Sequence, residues 1–181
     1  PLWPLEAFAK SMLYDINHDG FETLNDFLDY SQGASVAPAA IFVHLNSITR
    51  RNGSYEVPAF DVREAAAPCA IFSYLVHIIR DFQKDLLNNL NYFPDDLIKK
   101  NNLTRDDLLE IAHGRAAGKS FRNLVNEYHS LADEYRMKTY NMIRKISPLL
   151  EPRYQLSLEI IFNLYLMVFE RINPENGSFS T

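Results

Sequence analysis

The chain has 181 residues, a net charge of −5 and a pI near 5.5, with 47% hydrophobic and 13% aromatic residues. That is enough for one sizeable core and makes a single domain the default. The acidic balance excludes a basic nucleic-acid-binding field, and a lone cysteine, Cys69, excludes a disulfide within the chain. The apolar runs near 69–79 and 159–169 are too short to span a bilayer, and no secretory signal is visible. The cysteine usage fits a reducing, cytoplasmic setting. The chain opens on Pro1-Leu2-Trp3-Pro4-Leu5 without Met, so it is read as a piece of something longer.

In chain order the pattern is helical nearly throughout, which predicts an all-α bundle. A helix at about 4–14 precedes a turn at Asn17-His18-Asp19-Gly20. A second, at about 22–48, is capped by Thr23. Gly33 and Pro38 lie inside it and predict a kink or break. Arg51-Asn52-Gly53-Ser54 reads as a loop. A long helix at about 60–91 is bent near Pro68 and stopped by Tyr92-Phe93-Pro94. Short helices fit 94–100 and 104–113, the latter capped by Thr104 with Asp107 three residues on. Long helices fit 119–147 and 152–171, split by Pro148 and Pro152. The domain spans 1–172, and 173–181 reads as a frayed tail.

Three places could carry chemistry. In Arg80-Asp81-Phe82-Gln83-Lys84-Asp85 two carboxylates four residues apart share a helical face with Tyr74 and His77. This polar stripe interrupts the apolar run Cys69–Ile79. Carboxylate oxygens on a face that ought to be core suit a hard cation such as Mg²⁺, and Mg²⁺ usually bridges to phosphate. The alternatives are a solvated face paired with Arg80 and Lys84, or a His77-Asp81-Asp85 zinc site. The second place, Asp15 to Asp26, matches the front of an EF-hand loop. It has Asp26 where the bidentate Glu belongs and Glu22 at the usually apolar eighth position; a polar helix-to-helix turn needs the same residues. The third is the small-residue run Gly33 to Ala40, which either lets another helix approach or leaves room for a ligand. Arg50-Arg51, Lys99-Lys100 and Arg115/Lys119/Arg122 read as solvated surface, unless one set faces the acids and holds a diphosphate. His44, His113 and His129 have no metal-ligand spacing.

The stretch from Ala65 to Asp85, followed by Tyr92-Phe93-Pro94, resembles the second aspartate-rich motif of the squalene/phytoene synthase family. Tyr30-Ser31-Gln32-Gly33-Ala34-Ser35-Val36-Ala37 is similar to that family's Tyr-Cys-x-x-Val-Ala-Gly segment, and Phe21 to Phe27 to the stretch leading into it. The resemblance implies the class I isoprenoid (terpenoid) synthase fold and a transferase that joins two allylic prenyl diphosphates head to head. Asp81 and Asp85 would then be ligands of Mg²⁺, or of Mn²⁺, and Arg80 would orient the acids or reach the diphosphate. Tyr30, Tyr74 and His77 would contact substrate. Gly33, Ala34, Ala37 and Ala40 would leave room for the prenyl chain, with Phe72 and Tyr74 on its walls. The family's first aspartate-rich motif would lie upstream of Pro1. Tyr74 and His77 stand where the family usually has Gln and Asn, Gln32 where an aromatic is usual, and Leu90 where an Arg is usual. These departures leave open a catalytically inactive relative that binds a lipid or serves as an assembly factor. Lipid products imply peripheral membrane contact. NADPH use, oligomeric state and product are not assignable from the chain.

Overall fold

A computed structural model describes residues 2–179. Among these residues there are eight α-helices: α1 Trp3–Ile16, α2 Leu24–Ser31, α3 Ala37–Ser47, α4 Val62–Leu87, α5 Asp95–Lys100, α6 Arg105–Ala112, α7 Lys119–Ile146 and α8 Pro152–Phe169. The expected all-α bundle is what forms. α4 is its axis, packed along α7 and also against α2, α3, α6 and α8.

The expected break between Gly33 and Pro38 takes the form of a π-helical turn, Gln32–Val36, joining α2 to α3 without a gap. Pro38 has no N–H and its ring would meet the carbonyl four residues back. Widening the turn, with the Ala37 N–H donating to the Gln32 carbonyl, leaves Pro38 in the first turn of α3, where proline is tolerated. Thr23 and Thr104 are caps, as expected, and both close reciprocal capping boxes, Thr104 with Asp107 as its spacing predicts and Thr23 with Asp26. α4 starts at Asp61, whose carboxylate accepts from the N–H groups of Arg63 and Glu64 at 2.8 and 2.9 Å. It runs through Pro68 and ends at Leu87, short of the expected 91. Asn89 is left-handed (φ 62°). The N–H of Leu90 bonds the Asp85 carbonyl at 2.9 Å, and that of Asn89 bonds the Leu86 carbonyl at 3.0 Å. This is a Schellman stop, which favours an apolar residue at the position Leu90 fills.

Two segments differ from expectation. The predicted loop at 51–54 is the tip of a hairpin, with β1 Thr49–Arg51 paired to β2 Ser54–Glu56. Both Asn52 and Gly53 have positive φ, which gives the primed two-residue turn that Asn-Gly favours. The expected frayed tail carries a second short antiparallel pair, β3 Ile172–Asn173 with β4 Ser178–Phe179. Residues 180–181 lie outside the described residues.

The apolar run near 69–79 is part of α4, as expected. α4 is long and apolar enough to cross a membrane, but 56% of its apolar window is buried in the fold. That burial is what the core helix of a bundle requires.

The buried side chains form two separate clusters. The larger joins α2, α4, α6, α7 and α8 around Phe27, Phe72, Leu75, Leu124 and Tyr128. The smaller joins α3, α4 and α7 around Ala40, Val43, Ala65, Ala66 and Ile146.

Candidate active site

α4 carries Ala66, Ala70, Ser73, His77 and Asp81 at helical spacing, so one face runs from small residues to the acids. At the acidic end Arg80 grips Asp81 with both arms of its guanidinium, Nε to Oδ1 at 2.8 Å and a terminal nitrogen to Oδ2 at 2.6 Å. The Arg80 hydrogen bond holds the Asp81 carboxyl below the usual carboxylate range. Asp85 moves the other way. Burial, reinforced by the Asp81 charge, pushes its carboxyl up to about 6. No salt bridge joins Asp85 to a cation among the described residues. Two carboxylates in one field, one of them undercompensated, fit a divalent cation that takes one or two carboxylates and fills its remaining positions with water and phosphate. Among the described residues no group of three or more His, Cys, Asp or Glu side chains is placed to hold a metal, so the zinc alternative finds no support there.

Asp85 makes stability pH-dependent. Its folded value, about 6, lies above the ordinary 3.8, so the folded state binds the proton more tightly. Its destabilising effect is absent below about pH 3.8, grows between there and about pH 6, and is complete above that. In chelator-containing buffer, thermal melting of Asp85→Asn is expected to lie above wild type at pH 7, with the gap closing toward pH 4. A gap independent of pH would contradict this.

His77 and Tyr74 diverge. The His77 ring lies 5.2 Å from that of Tyr165 on α8. Burial, followed by the Arg80 charge, lowers its pKa. Tyr74 instead joins a second group. Its hydroxyl lies 3.5 Å from that of Tyr30, and its ring centroid lies 5.9 Å from that of Tyr92. The Tyr30 hydroxyl donates to the Asp15 carboxylate, 2.7 Å from each oxygen. Burial raises the pKa of Tyr30, Tyr74 and Tyr92, so all three are neutral phenols. The Asp85 charge adds to the rise at Tyr92, tying this group to the acid pair. Tyr128 on α7 fixes the Tyr92 backbone by donating to its carbonyl at 2.7 Å.

Beyond the acids, a cavity of about 230 Å³ lies among α3, α4, α7 and α8. Its wall includes Ser35, Ala66, Cys69, Ser73, Ile146 and Tyr165. Its serine and threonine hydroxyls are engaged internally. Ser35 and Ser73 both donate to the Ala70 carbonyl at 2.9 Å, and Thr139 donates to the Tyr135 carbonyl at 2.7 Å. The Cys69 thiol is pushed up to about 12 by burial and is no nucleophile at neutral pH. Hydrocarbon is what such a wall accepts.

Several expected site residues lie elsewhere. Gly33 faces α1, where an added Cβ would sit 2.2 Å from Ser11 Oγ and 2.3 Å from the Ala7 carbonyl oxygen. Close helix approach, rather than ligand room, explains that glycine. Ala34, Ala37 and Ala40 are not on the cavity wall; Ser35 and Ala39, one position along, are. Phe72 is fully buried against Phe162 and Phe169. The small-residue wall comes mostly from Ala65, Ala66, Cys69, Ala70 and Ser73 of α4, a spacing visible in the sequence but not read as cavity. Asp15 and Tyr92 were also missed as neighbours of Tyr30 and Tyr74. The Asp15–Asp26 loop is committed otherwise: Asp15 to Tyr30, Asp26 to the α2 cap, and Asp19 fully exposed. Arg115 pairs with Asp107 and Glu110, and Arg122 donates to the Ala117 carbonyl. The side chains of Arg50 and Arg51 lie outside the described residues.

An all-helical bundle whose central helix carries an acid pair two turns beyond an apolar cavity wall defines the class of protein. The family model of squalene/phytoene synthase matches residues 1–180, and the chain belongs to that family. No curated protein matches it. Two solved structures share its fold. One is squalene synthase HpnC from Alicyclobacillus acidocaldarius, at 13% identity and a TM-score of 0.81 over 98% of this chain and 61% of that one. The other is a dehydrosqualene synthase in complex with ligand, at 14% identity and a TM-score of 0.79 over 100% of this chain and 58% of that one. The chain thus spans about three fifths of the length of these structures.

Proposed function

We propose that the protein is a Mg²⁺-dependent prenyltransferase that joins allylic prenyl diphosphates head to head. The observation that carries this reading is the Arg80–Asp81 pair with Asp85 on α4, two helical turns beyond Ser73 of a largely apolar cavity wall. Asp81 and Asp85 would hold the cation, or Mn²⁺ in its place. Bound there, Mg²⁺ supplies positive charge against the departing diphosphate. Arg80, whose fork grips Asp81 here, would be the residue placed to reach diphosphate oxygens. The neutral phenols of Tyr74 and Tyr92 donate hydrogen bonds without adding charge. The cavity receives the prenyl chain and keeps water from the allylic cation formed when the C–O bond ionises.

The test is diphosphate release from farnesyl or geranylgeranyl diphosphate by the intact protein with Mg²⁺ and with chelator. Release is expected only with the metal. No release from either substrate, or equal release in chelator, would sink the reading. Leu90 favours a second one. It occupies the Schellman stop after Asp85, where the family usually has an Arg. A lipid-binding protein without catalysis would bind unreactive prenyl analogues yet release nothing.

A further inference from the structure

His18 stands in the turn after α1, yet its side chain is 3% exposed. Its Nε2 lies 2.8 Å from the backbone carbonyl of Asn91, in the loop after α4. A carbonyl can only accept, so Nε2 carries a proton and donates. The ring stands edge-on to Phe21 and Tyr92, at centroid distances of 5.5 and 5.1 Å. Packing does not account for a histidine here. Among the described residues two buried side-chain polar atoms have no hydrogen-bond partner, His18 Nδ1 and Asn91 Nδ2, and both belong to this pair. An apolar pair of similar shape would leave neither, and such exchanges are nearly neutral or stabilising. Nor is His18 needed to hold the turn in place. The N–H groups of Asp95 and Asp96 already bond the carbonyls of Phe21 and Glu22, at 2.9 and 3.1 Å. What His18 adds is a fastening on the residue before Tyr92. From the other side, Tyr128 on α7 donates to the carbonyl of Tyr92 itself at 2.7 Å. The two peptide groups that flank Tyr92 are thus each held by a buried side chain.

We propose that His18 is a positioning residue that aims the Tyr92 phenol, acting through the Asn91 carbonyl. With both flanking peptide groups fixed, the Cα–Cβ bond of Tyr92 has one direction, and the ring is set before a ligand arrives. The same imidazole turns its Nδ1 toward Asp15 at 3.6 Å, and Asp15 accepts the Tyr30 hydroxyl. His18 therefore lies between the supports of two of the three neutral phenols. This rests on the reading in which Tyr92 donates to a diphosphate, but not on turnover.

The experiment compares His18→Gln with His18→Asn in the intact protein with Mg²⁺. Both remove the ring and its contacts with Phe21 and Tyr92. Glutamine places an amide nitrogen where Nε2 stands and can still donate to the Asn91 carbonyl; asparagine is one bond too short. Binding is measured with farnesyl thiodiphosphate, diphosphate release with farnesyl diphosphate, and stability by thermal melting. His18→Asn is expected to bind the analogue about tenfold more weakly than His18→Gln, the worth of one hydrogen bond, while the two melt together. In a Tyr92→Phe background that difference is expected to vanish. Equal binding by the two variants, a deficit that follows a lower melting temperature, or a difference that persists without the Tyr92 hydroxyl would overturn the role of His18. The binding difference in a protein that releases no diphosphate would keep that role and overturn only the catalytic reading. Release by wild type with equal binding by the two variants would do the reverse, and a wild type that binds no analogue would overturn both. Should His18→Asn fail to fold, His18→Gln carries the test. It is expected to bind within about threefold of wild type, and a loss of about tenfold at an unchanged melting temperature would overturn the proposal, since the bond is kept.

Discussion

Asp81→Asn is expected to lower Mg²⁺-dependent diphosphate release by about a hundred- to a thousandfold, the usual effect of removing one preorganised group that meets developing charge. Asparagine keeps the size of the side chain and one acceptor oxygen but removes the negative charge. On the proposed mechanism the cation would lose one of its two carboxylates, and Arg80 loses its partner. The fold should hardly notice. Arg80 and Asp81 are each about a third exposed, at 32% and 33%, and ion pairs so placed contribute under about 1 kcal/mol. Release assays and thermal melting on the same variant therefore separate the two roles. A variant as active as wild type would remove Asp81 from the mechanism, and one that melts far below wild type would make it a structural residue.

Gly33→Ala should be among the most damaging single-methyl changes in the chain, destabilising by about 3 kcal/mol. The new Cβ would fall 2.2 Å from Ser11 Oγ and 2.3 Å from the Ala7 carbonyl oxygen. The serine could turn away, but the carbonyl is α1 backbone and cannot move without the helix. Gly33 also lies in the π-helical turn, so a shift of α1 would be transmitted to Ser35 and its bond to the Ala70 carbonyl. Chemical denaturation measures the loss. A change under about 0.5 kcal/mol would show that α1 is free to ride outward.

The helices and caps were legible because their signals are local. Thr23 with Asp26, Thr104 with Asp107 and the prolines at 148 and 152 each act within one turn of chain. The acid pair was legible for the same reason, since Asp81 and Asp85 need only helical spacing to share a face. The cavity was not, because its wall is drawn from four helices and depends on which side each presents. One residue of rotation separates Ala34, expected on the wall, from Ser35, which is on it. A π-helical turn, which inserts an extra residue into the ladder, shifts facing by that order. The Asp15–Tyr30 bond was hidden differently. Asp15 has the spacing of a calcium loop, and only the packing of α1 on the π-helical turn gives its carboxylate another partner.

Where α4 stops has an electrostatic consequence. Asp85 lies three residues before the α4 cap at Asn88, in the last helical turn. Aligned peptide dipoles give a helix C-terminus a partial negative charge, and a carboxylate there adds to it rather than opposing it. The end of α4 thus adds its own dipole to the Asp85 charge, which Arg80 and Lys84 offset only in part. Folding builds up that field, and a cation bound there would discharge it. Binding of a divalent ion would then be linked to the stability of the bundle through one helix end, each strengthening the other by mass action.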